Sequence, residues 1–229
     1  MISQFEKKVM KTNEELQRDV QDAIKWERLL NAAEIGVTVK NGIVTLTGVV
    51  DNYLKKIEAE IATRNVAGVK AVVVQIEVVF CNSEQKPDSE IAKNVLNAFK
   101  WNLEVPNDKV NVKVENGWVT LEGTLQWNYE KVAAAASISK IIGIKGVSNN
   151  ITISTVVIDK IEQNAIERAI NRNWSLADKN IIVQVFGNKV TLNGCVDSGY
   201  QKEEAGRIAW NAAGVFSVDN ELIIEDIDI

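Results

Sequence analysis

The chain of 229 residues contains no histidine. That absence removes the Ser-His and Cys-His nucleophile pairs, the usual general base near neutral pH and the commonest zinc ligand. Only two cysteines are present, Cys81 and Cys195, too few for a disulfide framework or a thiolate metal site. Basic residues are not in excess. Against 31 Asp and Glu stand 26 Lys and Arg, a net charge of −5, which gives no electrostatic footprint for nucleic acid. No stretch approaches the roughly 18 apolar residues of a membrane-spanning helix. Residues 1–11 are interrupted by Glu6, Lys7 and Lys8 before an apolar run of signal-peptide length can form. The expectation is a chain with no transmembrane segment, cytoplasmic as written, with no cofactor and no metal. With 46% hydrophobic residues it is nonetheless a folded protein, and its composition leans toward a binding or structural role.

What the sequence has in abundance is itself, repeated. Gly42-Ile43-Val44-Thr45-Leu46-Thr47-Gly48 returns as Gly117-Trp118-Val119-Thr120-Leu121-Glu122-Gly123 and again as Asn188-Lys189-Val190-Thr191-Leu192-Asn193-Gly194. The threonines lie 75 and then 71 residues apart, and Gly68, Gly143 and Gly214 each follow their threonine by 23. Lys56, Lys131 and Lys202, with Ala59, Ala134 and Ala205 three positions on, form a third anchor, and Trp26, Trp101 and Trp174 precede the three motifs. A self-similarity with this many fixed offsets marks a tandem array of three units.

Within each unit the hydrophobic period changes from helix to strand. Leu16, Val20, Ala23 and Ile24 share one helical face, as do Ile91, Val95, Leu96 and Phe99, and Ile161, Ala165, Ile166 and Ile170. Asp88 is expected as an N-cap, and Asp159 with Glu162 as a capping pattern. Alternation then appears in Ile35-Val37-Val39, Val110-Val112-Val114 and Ile181-Val183-Val185. Asn41-Gly42, Asn116-Gly117 and Gly187-Asn188 supply hairpin turns. A second helix is expected over roughly residues 52–66, 127–141 and 198–212, ending at Gly68, Gly143 and Gly214. A last strand carries Val72, Val74, Ile76 and Val78, then Val147, Ile151 and Ile153, then Val218, Leu222 and Ile224. The fold class is therefore α+β: three tandem αββαβ domains, each a three-stranded mixed sheet with two helices on one face, over residues 12–80, 87–155 and 157–226. A unit of this size buries only ~60% of its chain surface, so contacts between units matter. The polar segment 81–87 suggests a freer first unit, and the short apolar segment 154–158 suggests close docking of the second and third.

These features resemble the BON domain, named for bacterial osmotically inducible and nodulation proteins. The resemblance rests on the helix-strand-strand-helix-strand order, the Gly-x-Val-Thr-Leu-x-Gly strand and the ending Gly146-Val147-Ser148-Asn149-Asn150-Ile151, with Val218-Asp219-Asn220-Glu221-Leu222 close to it. It spans about residues 14–225 and is similar to triple-BON proteins of bacteria. The first unit departs, with Val74 where the others have Asn149 and Asn220, and the third moves its turn glycine to Gly187. The resemblance implies peripheral association with phospholipid membrane surfaces, other envelope proteins as further partners, a link to osmotic or envelope stress and no catalytic residues. It also implies a periplasmic setting if a leader is missing.

The residues themselves offer one candidate surface. Units one and two are neutral, and the whole −5 falls after residue 155, so anionic lipid should repel the third unit. In the second unit Trp118 points away from the core by alternation, with Trp127 and Tyr129 opening the next helix. Lys113, Lys131 and Lys140, with Lys145, are the cations around them. Aromatics beside lysines suit a headgroup-level membrane surface. Packing against a neighbouring unit, or a protein-interaction or chaperone-like surface without lipid binding, accounts for the same residues. Trp26, Trp101 and Trp174 are expected to fill the gap between the first helix and the sheet. Lys56, Lys131 and Lys202 are expected as solvated helix-face residues. The neighbouring Glu203 and Glu204 point to different sides of a helix and suit no two-carboxylate mechanism.

Overall fold

A computed structural model describes residues 11–80, 86–154, 161, 163–212 and 214–225. The first domain comprises α1 (Asn13–Trp26), β1 (Ile35–Lys40), β2 (Ile43–Val50), α2 (Tyr53–Arg64) and β3 (Ala71–Val78). The second repeats it as α3 (Asp88–Trp101), β4 (Val110–Glu115), β5 (Trp118–Leu125), α4 (Asn128–Ile138) and β6 (Gly146–Ile153). In the third, α5 (Gln163–Arg172), β7 (Ile181–Phe186), β8 (Lys189–Val196) and α6 (Gly199–Trp210) are followed by two short strands, β9 (Ser217–Asn220) and β10 (Ile223–Ile224). In each domain the middle strand pairs antiparallel with the strand before it and parallel with the strand after it. The register of β9 on β8 continues unbroken into β10, from Lys189↔Ser217 to Val196↔Ile224. The third domain thus has the same last strand, interrupted at Glu221 and Leu222.

Local chemistry explains why these elements form. Asn41 and Gly42 have φ of 52° and 77°, and Asn116 and Gly117 have 52° and 81°. This is the mirror-image turn whose twist matches two antiparallel strands. At Gly187-Asn188 the positive φ falls on the glycine alone, the arrangement of a type II′ turn. The second glycine of the repeated motif answers a different demand. Gly48, Gly123 and Gly194 have φ of 137°, 145° and 132°, and a Cβ on any of them would run into the carbonyl oxygen of Glu34, Lys109 or Asn180.

The core of each domain is the face that both helices cover. Val44, Leu46, Val119, Leu121, Val190 and Leu192 of the middle strands are fully buried, and so are Ala59, Ala134 and Ala205 of the second helices. The small alanines let helix and sheet approach closely. The first helices add Leu16, Val20 and Ile24, then Ile91, Val95 and Phe99, then Ile166 and Ile170.

Several expectations change. Asp88 is the first helical residue and Pro87 precedes it at the cap position. The Asp88 carboxylate instead accepts from the backbone N–H groups of Asn116 and Gly117 at 2.8 and 2.9 Å, tying the helix start to the hairpin turn. Asn13 makes the equivalent bond to Asn41 N at 2.9 Å. Thr12 and Glu15 form a capping box that starts α1. Asp159 and Glu162 lie outside the described residues. Gly68, Gly143 and Gly214 have positive φ, but α2, α4 and α6 end four or five residues earlier. The glycines sit at the third position of a following turn, closed by Val69 N to Val66 O, Ile144 N to Ile141 O and Val215 N to Ala212 O. The first domain is not the free one. It contacts both others, through Tyr53 on the second core and an Arg64–Glu203 ion pair to the third. A polar linker permits this docking as readily as it permits freedom.

Candidate functional site

The tryptophans ahead of the motifs do not fill the core. Trp26, Trp101 and Trp174 are 85%, 88% and 86% exposed. Trp26 lies two residues beyond buried Ile24, and Trp101 two beyond buried Phe99. Two residues of helix turn about 200°, which carries the indole to the side opposite the core. Trp174 is two positions later in the repeat and follows the end of α5. The first helix thus ends in an exposed indole in the first two domains, and in the third the exposed indole lies two residues past the helix end, beside exposed cations in each case: Lys25 and Arg28, Lys100, and Arg172. Exposed Leu29 and Leu103 extend the apolar surface in the first two domains. For Trp26 and Trp101 the sequence spacing held the signal, since the i+2 offset from the core stripe is visible in the sequence. Trp174 stands four residues beyond buried Ile170 and is exposed because α5 has ended.

The second-unit candidates separate into different places. Trp118 opens β5 on the outer face of its sheet, 47% exposed. Its indole lies over Gly146, where a Cβ would run into the ring, and its Nε1–H donates to Ser148 Oγ at 2.8 Å. Lys113 shares that outer face opposite Thr120 and pairs with Glu115 at 2.9 Å. The hydrogen bond to Glu115 raises the Lys113 pKa. Trp127 comes after the far end of β5, so about 25 Å of strand lies between it and Trp118. The structure does not bring the two together. Tyr129 is exposed on α4. Lys131 is half-buried on the same helix, and its carbonyl accepts from Asn149 Nδ2 at 2.8 Å. Lys140 follows α4 and lines a cleft against Asp51, Asn52 and Leu54 of the first domain. Lys56 and Lys202 are half-buried as well.

The carboxylates hold structure together. Glu130, nearly buried, accepts from Gln126 N and Trp127 N at 3.0 Å each, closing the start of α4. Glu203 reaches Arg64 of the first domain, while Glu204 accepts from Asn173 at 2.8 Å and from Arg207. The Arg207 hydrogen bond holds the Glu204 carboxyl below its ordinary value. Cys195 is a half-exposed free thiol whose pKa a hydrogen bond to Glu225 raises. Among the described residues no group of three or more acidic or cysteine side chains is placed to hold a metal ion, and no helix is long and apolar enough to cross a membrane.

Comparison with curated proteins finds no match. Among solved structures the chain is similar to CdsD, described as the structural protein of the type III secretion system of Chlamydia trachomatis. Its C-terminal domain is 15% identical, with 98% of this chain and all of that chain covered at a TM-score of 0.24. A second CdsD structure is 14% identical, covering 90% of each chain at a TM-score of 0.23. At such TM-scores neither likeness bears on what this chain does. The BON-domain family model matches residues 12–79, 87–155 and 159–226. With three successive matches across nearly its whole length, the chain belongs to the BON-domain family and carries the domain three times.

Proposed function

We propose that this protein binds phospholipid surfaces peripherally and without catalysis, as an envelope- or osmotic-stress protein. BON domains are linked to membrane and phospholipid binding and to stress, and the family is in general non-catalytic. The observation that carries the reading is the exposed indole at or just past the end of each first helix, Trp26, Trp101 and Trp174. An indole with an apolar body and a polar N–H favours the headgroup level of a bilayer. Flanking Lys25, Arg28, Lys100 and Arg172 add attraction to anionic lipid, on the order of 1 kcal/mol for each cation near the surface. Trp118 is a poorer anchor, because its ring rests on its own sheet and its N–H is already bonded. Three modest contacts on one chain reinforce one another where they can engage together.

The test is co-sedimentation of the full chain with zwitterionic and with anionic vesicles at low and physiological salt. Binding to anionic vesicles is expected, weakening with salt. Trp26→Ala and Trp101→Ala should each reduce it about tenfold, roughly the transfer value of a partly inserted indole. Trp174→Ala should reduce it less, because the net −5 of the third domain opposes its approach to anionic lipid. Trp118→Ala should leave it nearly unchanged. No binding of the unaltered chain to either vesicle would end the proposal.

A further inference from the structure

The first domain meets its two neighbours through one pair of surfaces used twice. Where the third domain meets the first, the opening of α6 sits on the closing end of α2. Gly68 N donates to Asp197 O at 3.1 Å. Gly199 lies so close to Arg64 that a Cβ there would come within 3.6 Å of its carbonyl oxygen. The Arg64 guanidinium pairs with Glu203. Where the first meets the second, the opening of α2 faces the closing end of α4 across a cleft of about 300 Å³ lined by Asp51, Asn52, Leu54 and residues 139–142. Tyr53 packs on the second core, and the backbone N–H of Val147 on the edge strand β6 hydrogen-bonds its hydroxyl oxygen.

The repeat register shows that these are one interface. Alignment of Lys56, Lys131 and Lys202 sets Tyr53 level with Asn128 and Gly199, Ile57 with Val132 and Glu203, and Arg64 with Ser139 and Trp210. Each junction therefore joins the start of one second helix to the end of the next second helix and its edge strand. The two faces of such a contact differ, so a row of domains joined this way keeps one of each unused. In the order third, first, second, the unused pair is the start of α4 and the end of α6 with β9.

The unused faces complement each other. At the two positions that form the Arg64–Glu203 ion pair, they carry Trp210 and Val132 instead. Val132 is 57% exposed, and Tyr129 and Phe216 beside these positions are exposed too. An ion pair at one junction becomes an aliphatic group against an indole at the other. Asn128 stands where Tyr53 does. The bonds from Ser217 N to Asn188 O and Glu221 N to Leu192 O turn alternate N–H groups toward β8, leaving Val218 N–H, the counterpart of Val147, facing outward. An Asn128 side-chain oxygen suits that donor.

We propose that the start of α4 in one copy of the chain docks on the end of α6 and β9 of a second copy, with Val132 against Trp210, so that the protein self-associates head to tail. The assembly closes as a ring or extends as a filament according to the rotation at the junction.

Sedimentation velocity of the full chain without lipid, from low to high micromolar concentration, tests this. The weight-average mass is expected to rise with concentration. Val132→Glu and Trp210→Arg should each weaken association about tenfold or more, since each sets a charge against an apolar surface. An equimolar mixture of the two variants should recover it, because Glu against Arg restores the pairing of the other junction while Val132 still meets Trp210 at alternate joints. That recovered association should fall with salt. A chain of monomer mass at every concentration, including one whose own second and third domains close on each other, overturns the proposal. So does association that neither substitution weakens, or variants that fail to recover when mixed.

Discussion

Asn220 on β9 reaches across to α6, where its side-chain amide donates to the carbonyl of Lys202 at 2.5 Å. Asn149 makes the same bond to the Lys131 carbonyl at 2.8 Å, and each asparagine also accepts, at 3.4 Å, from the backbone N–H two residues on. One side chain thus pins the second helix to the last strand. The first domain has Val74 at this position, and its valine packs against the core instead. Asn149→Ala and Asn220→Ala should each cost their domain about 1 kcal/mol, the net worth of a partly buried hydrogen bond. Urea unfolding followed by native-state hydrogen exchange would assign the loss to α4 or α6.

A much larger cost is expected at the second glycine of the repeated motif. Gly48 combines a φ of 137° with a carbonyl oxygen of Glu34 in the space a side chain would need. Gly48→Ala, Gly123→Ala or Gly194→Ala should each destabilise by about 3 kcal/mol or more, adding strain to a backbone displacement. Domains this small have little stability in reserve. The expected reading is loss of amide protection confined to the substituted domain and its junctions.

The repeats, the strands and the hairpins were legible because their signals are local. Val-x-Leu alternation fixes which face of a strand is buried, and Asn-Gly fixes the turn. The elements needing correction depend on geometry over longer range. The size and apolar character of tryptophan suggest core positions for Trp26 and Trp101, yet their offset from Ile24 and Phe99 already places them on the far side of the helix. Trp118 and Trp127 are nine residues apart in sequence, and an extended strand turns that into opposite ends of a sheet. Asp88 looked like a cap until the fold brought Asn116 and Gly117 beside it. The Arg64–Glu203 pair joins residues far apart in the chain, and no periodicity announces such a contact.

Exposure of the three helix-end tryptophans makes a direct prediction. Trp26→Ala, Trp101→Ala and Trp174→Ala should change stability by no more than about 0.5 kcal/mol each, as surface substitutions do. Phe99→Ala, at a fully buried position two residues before Trp101 and on the opposite side of the helix, should cost about 3–5 kcal/mol. Thermal and urea unfolding of the four variants would check the contrast, and acrylamide should quench the emission lost in the three tryptophan variants efficiently.

Glu204 supplies an acid-side prediction. Its carboxyl is held below the ordinary value of 4.5, first by the Arg207 hydrogen bond and also by Asn173, against the opposing effect of burial. A group whose folded pKa is depressed stabilises the fold above its unfolded pKa, and that stabilisation fades as pH falls through the folded value. Glu204→Gln should therefore lower stability at neutral pH and remove part of the decline below about pH 4.5. Melting temperature measured from pH 7 down to pH 3 should show the two curves converging at the acid end.

Tyr53 gives the opposite sign at the alkaline end. Burial raises its hydroxyl above the ordinary value of 10.0, more than the Val147 N–H lowers it, and Glu60 adds to the rise. A raised pKa favours the protonated, folded form. Its contribution is complete below the unfolded value near 10 and is lost as pH climbs through the folded one. Tyr53→Phe should keep the ring on the second core, leave the Val147 N–H without its partner and abolish that alkaline loss. Phenolate absorbance should then lose a late-ionising component. Because the ring spans two domains, Tyr53→Ala should go further and separate the unfolding of the first domain from that of the second, seen as two calorimetric transitions where Tyr53→Phe keeps one.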